Sequence, residues 1–119
     1  MKILISESQL KNFFKNRFDF DLTGKIKMIT STHDLPEKFK FIDPQIIRTY
    51  LNKFGPIFII NFDGRNYLYQ SQEGNRELVA DEYDRVYPIN IFMDILGISG
   101  LGLRVQDLID IYFEEESIN

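Results

Sequence analysis

The sequence predicts an α+β domain: a small antiparallel sheet, organised as a β-meander around residues 57–80, covered by about four helices. Three observations point there. Asp63-Gly64 separates two β-rich runs, residues 57–60 (IFII) and 67–69 (YLY). Asp-Gly between such runs is the strongest short-range hairpin signal, because a type I′ turn requires positive φ at both central residues. Asp43-Pro44 precedes Ile46, Ile47, Tyr50, Leu51 and Phe54, an apolar stripe at helical spacing. The 119 residues contain no repeat, low-complexity tract or linker. They fit one domain, residues 1–119, long enough to bury roughly two-thirds of its unfolded surface.

In chain order, Ser6-Glu7-Ser8-Gln9 fits a capping box, with Ser6 as N-cap and Gln9 reaching back, and Ile5 and Leu10 stand where a hydrophobic staple would. That helix runs to about Arg17, with Leu10, Phe13, Phe14 and Arg17 or Phe18 along one stripe. Residues 19–24 (DFDLTG) form a loop. Residues 25–30 alternate charged and apolar side chains, which predicts a strand with Ile26 and Met28 facing inward. Residues 31–42 are a connection with a short helical turn near Pro36. Asp43 as N-cap and Pro44 at the first helical position open the clearest helix, and Gly55-Pro56 stops it.

In the hairpin, a two-residue turn pairs Phe62 with Arg65, Ile60 with Tyr67 and Phe58 with Tyr69. One face then carries Phe58, Ile60, Phe62, Tyr67 and Tyr69, the other Ile57, Ile59 and Leu68. A bulge at Gly64 shifts the pairing by one residue and changes those faces. Apolar residues on both faces require a cover on each. A turn centred on Gly74 leads into a third strand over 76–80. Residues 81–84, with Asp81, Glu82 and Asp84, read as a solvated acidic connection. Residues 88–96 are helical up to Gly97. Gly100 and Gly102 form a joint before a last helix over 101–115, whose buried stripe is Leu101, Val105, Leu108, Ile109 and Tyr112.

Eleven Phe and six Tyr predict a bulky aromatic core. The absence of cysteine removes disulfides, thiol nucleophiles and Cys-ligated zinc, and suits a reducing compartment. Ile3-Leu4-Ile5 is too short for a signal-peptide core, and no apolar run exceeds four residues, so no membrane span is expected. The net charge of −4 is unevenly spread. Residues 1–60 hold ten Lys and Arg against six acids, and residues 61–119 hold four Arg against twelve acids. The chain has a basic front half and an acidic back half.

Asp19, Asp21, Thr23 and Gly24 match the start of an EF-hand calcium loop, with Ile26 at the apolar eighth position. The twelfth position is Thr30 where a bidentate Glu belongs, and Lys27 adds a cation beside the site. The same residues match the D-x-D-x-T loop of haloacid dehalogenase-like phosphatases, which in that family follows a buried strand. Here a helix with Lys11, Lys15 and Arg17 precedes it. A polar turn, with Asp19 and Asp21 bonded to backbone amides, is the expectation. His33, the single histidine, has no evident catalytic partner. The segment 97–102 (GISGLG) follows a helix rather than a strand and lacks a P-loop Lys, so it is not a phosphate cradle. Residues 88–115 can be laid out as helix-turn-helix, but the second helix carries one Arg against a row of acids, a surface that phosphates repel.

The opening MKILISESQLK resembles the first residues of many small uncharacterised bacteriophage proteins. The resemblance implies a phage setting and carries over no functional residues. With no nucleophile–base pair, no complete metal set and no nucleotide loop, the expected function is a non-enzymatic protein-interaction module. The expected setting is a small structural or assembly component of a bacteriophage virion, located in the host cytoplasm or the virion, without a cofactor. Its contact residues are expected on the last helix, where Asp107, Asp110, Glu114, Glu115 and Glu116 fall in the C-terminal half and no Lys or Arg follows Arg104. Negative charge there opposes the helix macrodipole. A basic surface offsets it, either the chain's own Lys11, Lys15 or Lys53 or that of a protein partner or another copy, or else the acidic end is a solvated tail that serves solubility alone. Neither nucleic acid, a membrane nor a small-molecule substrate is expected as partner. Two other readings stay open: a phage inhibitor of a host enzyme that imitates nucleic acid with its acidic face, and a divalent-ion-dependent protein using the 19–24 loop.

Overall fold

The computed structural model describes residues 25–118. Four strands form one antiparallel sheet whose spatial order follows the chain: β1 (Ile26–Ile29), β2 (Ile57–Phe62), β3 (Arg65–Gln72) and β4 (Arg76–Asp81). Asp63 and Gly64 adopt φ of 53° and 78°, the pair of positive values a type I′ turn demands. No bulge intervenes. Phe62 lies opposite Arg65, Ile60 opposite Tyr67 and Phe58 opposite Tyr69, the register expected for a two-residue turn. β1 extends the meander on the β2 side, with Ile26 opposite Ile60 and Ile29 opposite Ile57.

Each face of the sheet is covered, as two apolar faces require. Phe58, Ile60, Tyr67, Tyr69 and Val79 pack against Phe92 and Leu96 of α2 (Ile89–Leu96) and Val105, Leu108, Ile109 and Tyr112 of α3 (Val105–Ile118). Ile29, Ile57, Ile59 and Leu68 pack on the opposite face against Leu35, Phe39 and Ile47, the last from α1 (Pro44–Phe54). The result is α+β in three layers, with the sheet in the middle. Among the described residues there are three α-helices rather than about four. The expected helix from Ser6 to Arg17 lies outside the described residues.

Local chemistry explains the helix ends. Asp43 Oδ1 accepts from the Gln45 amide at 2.8 Å, and Gly55, at φ 97°, ends α1. Gly97, at φ 76°, ends α2, and the amides of Gly97 and Ile98 close on the carbonyls of Asp94 and Met93. α3 begins at Val105, not at Leu101, because Gly100 and Gly102 take φ of 81° and 72° and hold the chain out of the helix until Arg104. Leu101 therefore packs from the preceding loop, half-buried. Two 3₁₀ turns, Thr32–Asp34 and Glu37–Phe39, flank Leu35-Pro36 and bring Leu35 and Phe39 into the core.

Two inward-facing expectations are corrected. Met28 shares the side of Ile26 but is exposed, since the cluster under α2 and α3 does not extend to it on the edge strand; the second buried residue of β1 is Ile29, on the other face. Ile46 is exposed as well. α1 touches the sheet along a narrow line that fully buries Ile47 and half-buries Tyr50, Leu51 and Phe54.

Candidate functional site

The acidic segment after β4 is a built hairpin and not a solvated connection. Asp81 is completely buried. The Asp84 amide donates to the Asp81 carbonyl at 3.2 Å, and Asp84 takes φ of 64°. A tight turn closed by one residue in the left-handed region is a common three-residue hairpin loop, and Asp tolerates that region better than most residues. The chain then runs back along β4. Val86 bridges Ala80, the Asp81 amide donates to the Arg85 carbonyl at 2.9 Å, and the Tyr87 amide donates to the Val79 carbonyl at 2.9 Å.

The Asp81 carboxylate pins this return from inside. Its Oδ1 accepts from the amides of Tyr83 (2.9 Å) and Arg85 (3.0 Å). Its Oδ2 accepts from the Tyr87 hydroxyl at 2.7 Å and lies 3.8 Å from Arg65 Nη1. Burial pushes the Asp81 carboxyl up, but the Tyr87 hydroxyl, the two amides and the Arg65 charge outweigh it and hold the carboxyl below its ordinary value. Next to it, Glu82 Oε1 accepts from the Asn66 amide at 2.8 Å, and Oε2 pairs with Lys38 at 3.2 Å. The Asn66 amide and Lys38 overcome partial burial and lower the Glu82 carboxyl too. Lys38 belongs to the second 3₁₀ turn, so this pair ties the α1 side of the molecule to the end of β4. Burial raises the neighbouring Tyr67 hydroxyl, whose ring packs on Tyr87 and Phe92.

With its oxygens filled by fixed donors, Asp81 is a holding group and not a proton acceptor for chemistry. What it holds points outward. Tyr83 and Val86 are 62% and 70% exposed, the two most exposed large apolar side chains described. The Arg65 guanidinium lies 5.3 Å from the Tyr83 ring centroid, a cation–π contact that steadies the ring.

The residues expected to form the contact surface are split by the structure. Asp107 lies in the first turn of α3, not its C-terminal half, and its Oδ2 accepts from the Arg104 amide at 2.8 Å. It caps its own helix, at the end where negative charge is favourable. Asp110 is exposed and accepts from Gln106 Nε2 at 2.9 Å. Glu114, Glu115 and Glu116 lie in the last turns of α3, and their side chains fall outside the described structure. Asp19, Asp21, Thr23 and Gly24, the divalent-ion candidates, lie outside the described residues. His33 is exposed in the first 3₁₀ turn, its amide donating to Ser31 Oγ. Among the described residues no cluster of three or more metal-ligating side chains occurs, and no helix is long and apolar enough to cross a membrane.

The 81–87 hairpin is hidden in the sequence because the usual glycine signal at its left-handed position is absent; Asp84 stands there. Asp at the first and last positions of DEYD was the available signal. Comparison of the chain with protein-family models, with curated proteins and with solved structures finds no match.

Proposed function

We propose that the chain is a non-enzymatic protein-interaction module that presents the 82–86 turn to a protein partner, as a small structural or assembly component of a bacteriophage particle. One observation supports the contact surface above the others: Tyr83 and Val86 stand exposed on a backbone that is already bonded in place. A contact loop fixed before binding loses little conformational freedom when it docks, and tyrosine is among the residues that dominate interface energetics. Asp84 and Arg85 beside them are exposed and supply a polar rim of both charges. The phage setting rests on the opening MKILISESQLK alone.

Affinity purification from the lysate of the native host cell tests this reading, with wild type and Tyr83→Ala/Val86→Ala compared side by side and partners identified by mass spectrometry. Both side chains are on the surface, so the double variant keeps its melting temperature within a few degrees. A partner retained by wild type and lost from the variant is the expected result. Equal retention of every partner by the two proteins removes the 82–86 turn as the contact.

A further inference from the structure

We propose that a cleft at the β3–β4 turn binds the acidic end of α3 from a second copy of the chain, joining copies head to tail. This rests on the interaction-module reading but uses a surface separate from the 82–86 turn. The cleft has a volume of about 350 Å³ and is lined by Lys53 and Phe54 from the end of α1 and by Gln72, Glu73, Gly74 and Arg76 from the turn.

Its floor is rigid. The fully buried Gln70 donates from Nε2 to the carbonyls of Tyr50 (3.1 Å) and Gly55 (2.9 Å), stitching the end of α1 to β3. Gln72 Nε2 in turn donates to Gln70 Oε1 at 3.0 Å, which ties a lining residue to that buried side chain.

The charge of the cleft is positive. Lys53 and Arg76 form no ion pair with any described residue, and Glu73 is the one carboxylate among the lining residues. An Arg fork beside a Lys ammonium suits carboxylates, which Arg can bind in a bidentate manner. The chain carries a matching group in Glu114-Glu115-Glu116, and no Lys or Arg follows Arg104 in the sequence.

The course of α3 leads away from the cleft. α3 starts beside β4, where Arg104 Nη2 lies 3.9 Å from Glu77 Oε1, and crosses toward β2, where Phe113 packs on Phe58 at 5.8 Å. Its acidic end therefore leaves on the β1 side of the sheet and on the face opposite α1. The cleft lies at the other edge, at the end of α1. A contact between two different patches, repeated from copy to copy, closes into a ring or grows into a row, which is how a small assembly component propagates.

Sedimentation velocity over a concentration series, at low and at high salt, tests this with two charge reversals. Lys53→Glu/Arg76→Glu reverses the cleft, and Glu114→Lys/Glu115→Lys/Glu116→Lys reverses the helix end. Wild type should associate at low salt and dissociate at high salt. Each variant alone should weaken association by about tenfold or more, and an equimolar mixture of the two should restore it. Circular dichroism melts confirm that the variants fold; if the cleft reversal does not, Lys53→Gln/Arg76→Gln replaces it. Tyr83→Ala/Val86→Ala should leave association unchanged, so failure here and failure of the 82–86 contact are separate results. Wild type that stays monomeric at low salt, association that survives either reversal, or a mixture that fails to reassociate overturns the proposal.

Discussion

Asp81 and Gly64 make opposite demands at the scale of single residues. Asp81 and Glu82 both have carboxyls lowered by donors in the folded chain. A depressed folded value means that their contribution is fully present above the unfolded range, about pH 4, and is lost as pH falls through the folded value. Thermal melts should therefore be flat from neutral pH to about pH 5 and drop below about pH 4, with a shallower drop in Asp81→Asn. Equal acid sensitivity in wild type and variant would show that Asp81 is not lowered by its donors. Gly64 tests backbone conformation without packing: a Cβ built there meets nothing within 4 Å, yet φ is 78°. Gly64→Val should cost about 1–2 kcal/mol or more in urea unfolding, all of it conformational, because a β-branched residue resists the left-handed region. A neutral result would mean that the turn relaxes away from type I′.

Among the elements, the β2–β3 hairpin is the stability centre, since its side chains enter both cores. Phe58→Ala and Ile60→Ala each delete a buried side chain and should lower unfolding free energy by about 2–5 kcal/mol. Values within about half a kcal/mol of wild type, the range of surface changes, would contradict that role. This hairpin was legible in sequence because its signals are local: Asp63-Gly64 sets the turn, and the turn sets the register. α1 was legible for the same reason, with Asp43, Pro44 and Gly55 marking its ends. The start of α3 was misplaced because the apolar spacing runs on through Leu101 while the left-handed Gly100 and Gly102 interrupt the backbone. Gln70 and Asp81 were not legible as buried groups. Tyr50 and Gly55, the partners of Gln70, meet it only once α1 packs on the sheet. Tyr83, Arg85 and Tyr87, the partners of Asp81, lie in a local turn that lacks the usual glycine signal.

For the whole molecule, the split between basic and acidic halves does not translate into one acidic face. Asp43 and Asp107 cap helices, Glu77 accepts from the Tyr69 hydroxyl and pairs with Arg104, Asp81 is buried, and Glu82 pairs with Lys38. Part of the acidic charge in the second half thus holds the fold, and among the described residues the 82–86 turn carries the two most exposed large apolar side chains. That turn can serve as a ready-made contact surface only if it is formed before any partner arrives. Amide hydrogen exchange measured residue by residue on the free protein tests this directly. The amides of Tyr83 and Arg85, bonded to Asp81, should be protected to a degree comparable with those of β4, and Asp81→Asn should speed their exchange by about tenfold or more while β2 and β3 stay protected. Exchange of the Tyr83 and Arg85 amides at the rates of an unstructured chain in wild type would show that the loop is not preformed, and would contradict its role as a ready-made contact.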